Sequence, residues 1–164
     1  MYEFFDIKDR VVAITGGTGV LGESMVEYLA AHGAKVAVLA RNKEKGDLLI
    51  EKVKANGGEA MFLVTDVTDE AVLKLNAKDI VEKYGKIDVL INGAGGNMPG
   101  ATIGPNSNIF DLEIDDFRKV VDLNLMGSVI PTVVFSEFMV KEQKGNIINI
   151  SSASALRPLT RVAG

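Results

Sequence analysis

The chain has 164 residues, a net charge of −4 at pH 7, 47% hydrophobic residues and 24% charged residues. These values indicate one compact domain with a core and a solvated surface, and they exclude a disordered chain. A negative chain with scattered basic residues also lacks the basic face that nucleic acid requires. The absence of cysteine excludes disulfides and thiolate chemistry.

Short β-branched runs alternate with longer amphipathic stretches along the chain. They predict strands over residues 10–15, 35–40, 60–64, 87–91 and 146–150. They predict helices over residues 20–32, 43–56, 69–84 and 114–140, the last with a kink or local break at Pro131. Such alternation predicts an α/β fold: a Rossmann-like, doubly wound parallel sheet in a three-layer α/β/α arrangement. Ligands of such sheets bind beyond the carboxyl ends of the strands.

We expect residues 1–164 to form a single Rossmann-like domain of a soluble, cytoplasmic protein. The first ten residues carry acidic side chains and do not look like a signal peptide. The apolar run 129–135 is far short of a membrane span, so we expect no membrane partner. No spacing of potential ligands suggests a metal site.

A glycine-rich loop, TGGTGVLG over residues 15–22, follows the first predicted strand and opens the first predicted helix. It contains G-x-G-x-x-G, in which glycines permit a tight turn, close approach of backbone to a pyrophosphate, and close helix packing. The helix start favours the negative charge. The alternative is a glycine-rich turn without a ligand. The predicted contacts to a dinucleotide are Gly16, Thr18, Gly19, Val20, Leu21 and Gly22.

This loop resembles the TG-x-x-x-G-x-G and TG-x-x-G-x-x-G signatures of the short-chain dehydrogenase/reductase family. It fits the second better, because Val20 occupies the place of the middle glycine of the first. Further motifs follow in the family's order and extend the resemblance over the whole chain: Asp66-Val67, the N-x-A-G motif at residues 92–95, Asn124, and the serines after residue 150.

The resemblance implies a role for each of these motifs. Asp66 and Val67 would bind the adenine, although Asp66 could instead be a turn or cap residue beside Thr68 and Asp69. Asn92, Ala94 and Gly95 would stabilise the sheet and line the cofactor ribose. Asn124 would help to hold a water-linked proton path, or would have a purely structural role, since a buried polar side chain needs a hydrogen-bond partner.

The end of the second predicted strand bears on the choice of dinucleotide. An acidic residue there would bind the adenosine ribose hydroxyls and select NAD. This chain has Arg41 and Asn42 instead, and a guanidinium matches a 2′-phosphate well. We therefore favour NADP(H), with NAD(H) possible. The alternative is an exposed arginine on a loop.

Serines follow the fifth predicted strand at positions 151, 152 and 154. In the family, a serine here donates a hydrogen bond to the substrate, and a tyrosine acidified by a lysine transfers the proton. Ser152 fits this place best; Ser151 and Ser154 are alternatives, and so is a polar residue that only satisfies backbone groups. The family's Y-x-x-x-K motif would begin just beyond Gly164, so we expect the C-terminal part of the fold, with these residues, in a longer parent.

The segment over residues 95–111 is longer than a simple strand-to-helix connection requires. With the glycine loop, it resembles the family branch of D-mannonate oxidoreductase (fructuronate reductase) and gluconate 5-dehydrogenase-like enzymes. The resemblance implies a keto or hydroxy sugar acid as small-molecule substrate, with Arg157 or Arg161 as a candidate carboxylate clamp.

Two other functions stay open: a non-catalytic dinucleotide-binding module, and a nucleotide-sugar epimerase or dehydratase, which the glycine spacing suggests. The resemblance also implies a homo-oligomer, a dimer or tetramer, assembled through the long helices. The apolar residues Val129, Val133 and Phe138 could serve that contact or belong to the core.

Overall fold

The computed structural model describes residues 6–156, and they contain one parallel five-stranded sheet. Its spatial order is β3-β2-β1-β4-β5. The chain therefore adds β2 and β3 on one side of β1 and then β4 and β5 on the other side. The strands are β1 (Val11–Thr15), β2 (Lys35–Ala40), β3 (Glu59–Val64), β4 (Val89–Asn92) and β5 (Asn146–Asn149). This order places a topological switch point between β2 and β4, at the carboxyl end of β1.

Five α-helices connect the strands: α1 (Val20–Ala31), α2 (Lys43–Ala55), α3 (Glu70–Tyr84), α4 (Ile114–Val121) and α5 (Gly127–Lys141). Side-chain caps fix two of the helix starts. Asn42 Oδ1 accepts a hydrogen bond from Lys45 N at the start of α2, and Asp69 Oδ1 accepts from the backbone of the first turn of α3. Asp69, and not Asp66 or Thr68, is therefore the cap of α3.

Two hydrophobic clusters cover opposite faces of the sheet. One joins the sheet to α3 and α5 through residues such as Leu39, Leu73 and Phe135. The other joins it to α1 and α2 through residues such as Ile14, Val26 and Leu49. The three-layer, Rossmann-like arrangement predicted from the sequence is confirmed.

The long helix is interrupted at a different place from the one predicted. A π-helical turn, Asp122–Met126, separates α4 from α5, whereas Pro131 lies buried inside α5. The local break predicted at Pro131 is therefore wrong, since α5 continues through this residue. Pro131 stands in the second turn of α5, where only the bond to the Gly127 carbonyl is lost. The helical irregularity lies in the π turn just upstream.

The helical run Ile114–Lys141 has 28 residues and, by length and composition alone, is apolar enough to cross a membrane. This run extends well beyond the apolar residues 129–135, because the helix and its apolar character continue across the π turn. In the structure, Val134, Phe135 and Met139 of this run are buried against the sheet and α3. The apolar face of α5 that meets the sheet is therefore part of the domain core.

Candidate functional site

A cleft of about 300 Å³ lies beyond the carboxyl ends of the first four strands, at the switch point. Nine of the predicted site residues line it: Gly16, Thr18, Gly19, Arg41, Asn42, Asp66, Val67, Ala94 and Gly95. It is also lined by Leu39, Ala40, Lys45, Thr65, Gly93 and Leu123, which the motifs did not single out. The cleft is thus built mainly from strand ends and the loops that follow them.

Two glycines allow the backbone segments under the cleft to approach each other. Gly16 has a positive φ of 68°, and a Cβ there would lie 2.7 Å from the Gly93 carbonyl oxygen. A Cβ on Gly22 would collide with the Gly16 carbonyl oxygen and lie 2.7 Å from Gly17 Cα. Gly22 therefore does not line the cleft; it lets the first turn of α1 pack directly on the loop.

Val20 and Leu21 do not belong to the lining of the cleft, and they are 89% and 69% exposed. At the loop, these two residues therefore contribute their backbone groups. Gly19 is the N-cap of α1, and as a glycine it has no side chain that could accept a hydrogen bond from the first N–H groups of the helix. The first N–H groups of α1 are consequently suited to an anion, and the helix dipole adds to this preference.

Thr15 ties the glycine loop to the segment after β4. Its fully buried side chain accepts hydrogen bonds through Oγ1 from Gly93 N and Ala94 N, each at 3.1 Å. The backbone on both sides of the cleft is therefore held in one arrangement. Sequence reasoning assigned no role to Thr15, although its place at the end of a strand before the glycines is a usable signal.

The end of β2 gives the cleft a basic wall. Arg41 follows β2, and Lys45 lies in the first turn of α2, three residues after the cap Asn42. Within residues 6–156, neither cation forms an ion pair. Asn42 Oδ1 already accepts from Lys45 N at 2.9 Å, so the amide oxygen of Asn42 serves the helix start.

Asp66 brings a carboxylate to the same cleft. Its Oδ1 accepts hydrogen bonds from Thr68 N at 2.9 Å and Thr68 Oγ1 at 2.7 Å. These bonds, the backbone one first, lower the pKa of Asp66 below its usual value, and the positive charge of Arg41 adds to the effect. Asp66 is therefore an anionic acceptor at neutral pH, suited to a donor such as an exocyclic amino group.

Asn92 lies beneath the cleft and does not line it. It is 2% exposed, and its Nδ2 donates to Thr132 Oγ1 at 2.9 Å and to Asn149 Oδ1 at 2.8 Å. The Asn92 side chain is directed between β4, β5 and α5, which fits the sheet-stabilising part of the expectation for this motif. Ala94 and Gly95 of the same motif do line the cleft.

Asn124 lies in the π turn and holds the loop after β4. Its Nδ2 donates to Gly96 O at 2.7 Å and to Val120 O at 2.9 Å, while its Oδ1 accepts from Gly96 N at 3.0 Å. The preceding residue, Leu123, lines the cleft. The π turn thus brings a polar anchor and an apolar wall residue to the same side of the site.

Ser152 begins a short 3-10 turn beyond β5 and lies outside the cleft lining. Its Oγ donates to Ser154 Oγ at 3.0 Å and accepts from Ser154 N at 3.1 Å. The strand before it pairs with β4 through Asn92 and Asn149, so the serine segment leaves the sheet next to the loop at Gly93. Arg157 and Arg161 lie outside the described residues.

Most of the lining residues missed from the sequence are backbone neighbours of predicted ones at the ends of β2, β3 and β4. The rule that ligands bind at carboxyl ends of parallel strands could have found them. Lys45 and Leu123 carry no such signal, because their approach depends on where α2 and the π turn pack. Among residues 6–156, no group of three or more His, Asp or Glu side chains could hold a metal ion.

Comparison with known proteins gives a consistent result. A family model described as short chain dehydrogenase matches residues 10–164. The uncharacterized oxidoreductase UxuB of Bacillus subtilis is 38% identical over 96% of this chain and 59% of its own length. The chain thus spans about three fifths of the length of this curated relative.

Two solved structures share the fold and contain bound dinucleotides. A protein proposed to be a D-mannonate oxidoreductase from Haemophilus influenza, with bound NAD, matches with a TM-score of 0.89 and 35% identity, over 96% of this chain and 60% of that one. A metagenomic short-chain oxidoreductase in complex with NADP matches with a TM-score of 0.85 and 25% identity, over 96% and 69%. On the family match, the identity with UxuB and the shared sheet, this chain belongs to the short chain dehydrogenase family.

Proposed function

We propose that this chain is the dinucleotide-binding part of an NADP(H)-dependent oxidoreductase that transfers hydride between the nicotinamide and a keto or hydroxy compound. The observation that carries the proposal is the pairing of an uncapped helix start at α1 with a basic wall in one cleft. The first suits a pyrophosphate and the second a 2′-phosphate. The glycine-rich loop lies between them.

The preference for NADP(H) rests on this chain's own residues. Arg41 and Lys45 place two cations where an acidic residue would select NAD. The solved relatives hold NAD in one case and NADP in the other, so they support a nicotinamide dinucleotide of either kind. NAD(H) is the alternative cofactor.

Each part of the cleft has a role in this proposal. The amides of Val20 and Leu21 bind the pyrophosphate, Arg41 and Asn42 lie beside the adenosine ribose, and Asp66 and Val67 flank the adenine. Ala94 and Gly95 line the nicotinamide ribose. The cofactor supplies the hydride chemistry, and the protein supplies orientation and electrostatics.

The catalytic assignments are Ser152, as hydrogen-bond donor to the substrate oxygen, and Asn124, as part of the proton path. For Ser152 to donate, its hydroxyl must leave Ser154 Oγ, 3.0 Å away. Ser151 and Ser154 are the alternatives to Ser152. For Asn124, both side-chain N–H groups are already donated, to Gly96 O and Val120 O, so a water in this path would bind at the second lone pair of Oδ1 or at the backbone oxygen.

We propose a sugar acid as the substrate, on two supports. The Haemophilus relative is proposed to oxidise or reduce mannonate, as its name states. The long connection between β4 and α4 lies beside the nicotinamide end of the cleft, where it can shape a substrate pocket. We also propose a cytoplasmic homo-oligomer, a dimer or tetramer, without a nucleic-acid or membrane partner.

The cofactor proposal is tested by calorimetric titration of the protein with NADPH and with NADH. Arg41→Ala should weaken NADPH about tenfold, the equivalent of one charge-assisted phosphate contact, and leave NADH within about twofold. Arg118→Ala, which removes an exposed arginine on α4, is the matched control and should change neither affinity. Equal losses for both dinucleotides would refute a 2′-phosphate site, and no binding of either would refute the proposed function.

A further inference from the structure

Two side chains of the helical run α4–α5 hold the loop between β4 and α4 against the cleft. Asn124 binds both backbone groups of Gly96, directly after the lining residues Gly93 to Gly95. Four residues further on, Gly100 N donates to Asp116 Oδ2 at 3.0 Å. The loop that follows the lining residues is thus anchored at two points, and the second anchor has no counterpart among the motifs found in the sequence.

The contact at Gly100 is close and specific. Gly100 O accepts from Glu113 N at 2.9 Å, so both the N–H and the carbonyl group of Gly100 are hydrogen-bonded to the start of α4. A Cβ on Gly100 would lie 2.7 Å from Glu113 Oε2 and 2.8 Å from Asp116 Oδ2. The loop therefore lies directly on the first turn of α4, and a side chain at position 100 would displace the carboxylates of Glu113 and Asp116.

Asp116 is an anionic acceptor in this contact. Its other oxygen, Oδ1, pairs with Lys119 Nζ at 2.8 Å, and its side chain is only 16% exposed. The bonds from Lys119 and from Gly100 lower the pKa of Asp116 below its usual value. A hydrogen bond from a backbone N–H to a carboxylate is stronger than one to a neutral acceptor, so this anchor holds the loop firmly.

We propose that Asp116 is a positioning residue that fixes the cleft wall on the nicotinamide side. This inference rests on the proposed function. A dinucleotide whose adenosine lies at the ends of β2 and β3, beside Arg41 and Asp66, extends past the glycine loop towards β4. Its nicotinamide half therefore meets the segment that Asp116 and Asn124 hold.

The neighbouring residue Asp115 separates this role from a general effect on the helix. Both aspartates lie in the first turn of α4, and each pairs with a basic residue three positions later, Asp115 with Arg118 at 2.7 Å. Their contributions to helix start and charge are therefore alike. Of the two aspartates, Asp116 is the one whose side chain accepts a hydrogen bond from the loop, so Asp115 is the matched control.

The test measures the affinities of NADPH and of adenosine 2′,5′-bisphosphate, a probe of the adenosine half alone. Asp116→Ala should weaken NADPH about tenfold and leave the bisphosphate within about twofold. Asp116→Asn, whose Oδ1 can still accept from Gly100 N, should recover most of the NADPH affinity. Asp115→Ala should change neither ligand, and circular dichroism should show all three variants folded.

The affinities of these variants decide whether Asp116 acts locally at the nicotinamide end. The inference is overturned if Asp116→Ala and Asp115→Ala bind NADPH alike, or if Asp116→Ala weakens both ligands equally, because either result denies a local role at the nicotinamide end. It is also overturned if Asp116→Asn is as weak as Asp116→Ala. If the parent protein binds neither ligand, the proposed function fails first, and this inference with it.

Discussion

The Asn92 side-chain amide donates to Asn149 Oδ1, 2.8 Å away, and so joins β4 to β5 where the two strands end. The same amide donates to Thr132 on α5, and the backbone oxygen of Asn92 accepts from Ile150 N at 2.9 Å. One buried residue therefore connects the strand beside the cleft with the strand that leads to the serines. The cleft and the serine segment are mechanically linked through it.

Replacing Asn92 with Ala should lower the free energy of unfolding by about 1–3 kcal/mol, because the buried amide of Asn92 and its two partly buried hydrogen bonds are lost. Urea denaturation monitored by circular dichroism measures this. Asn146→Ala, at an exposed position of β5, is the control and should stay within about 0.5 kcal/mol of the parent. Equal midpoints for the two variants would show that the link between β4 and β5 contributes little.

Gly22→Ala should disrupt the glycine loop, because the new Cβ would collide with the Gly16 carbonyl oxygen, a backbone atom that cannot rotate away. We expect NADPH affinity to fall about tenfold or more, the equivalent of at least about 1.4 kcal/mol. Gly104→Ala, where the nearest atom to a Cβ is Ser107 Oγ at 3.5 Å, is the matched control. Unchanged affinity in Gly22→Ala would contradict the proposed packing of α1 on the loop.

Asp88 should make stability depend on acid pH. Burial by itself would raise its pKa, but hydrogen bonds from Lys86, the Val11 amide and Arg10 together lower it below 3.8. Its stabilising contribution is therefore present above pH 3.8 and is lost as the pH falls through the lower folded value. Asp88→Asn should cost about 2 kcal/mol at pH 7.

Urea titrations from pH 7 to pH 2.5 would show this effect as a difference between parent and Asp88→Asn that narrows below about pH 3.8. Asp79→Asn, at an exposed position on α3, controls for the loss of one negative charge. A difference that stays constant over the whole range would exclude the titration of Asp88 as its source.

Tyr84 should tolerate the loss of its hydroxyl. The hydroxyl is buried without a hydrogen-bond partner in the described part of the chain, and burial raises the pKa of Tyr84 to about 12. Removing an unsatisfied buried group is neutral or favourable, so Tyr84→Phe should keep or increase the free energy of unfolding, by up to about 1 kcal/mol. Tyr28→Phe, at a residue that is 63% exposed, is the control. A loss of more than about 1 kcal/mol in Tyr84→Phe would show that the hydroxyl has a partner.

The fold and much of the cleft could be predicted because they depend on local patterns. Apolar periodicity gave the strands and helices, and the carboxyl-end rule put the glycine loop, Arg41 and Asp66 in one cleft. The direction of individual side chains could not be predicted in the same way. Asn92 turns into the interior, where it meets Thr132 of a helix distant in sequence, whereas Val20, an apolar residue, is left 89% exposed.

The position of the π turn could not be predicted from the sequence either. Nothing in the residues 122–126 distinguishes them from an ordinary helical stretch, whereas Pro131 attracts attention but is accommodated within α5. The anchors at Asn124 and Asp116 depend on this helical run meeting a loop that lies sixteen or more residues away in the chain. Only the tertiary structure reveals them.

The central claim, that the cleft at the switch point binds a dinucleotide, is tested most directly by NMR titration of the isotope-labelled protein with NADPH. We predict saturable shifts of the backbone amides of residues 16–22, Arg41, Lys45 and Ala94, with amides at the opposite, amino-terminal edge of the sheet unchanged. Shifts that are absent, or that centre outside the cleft, would contradict the account.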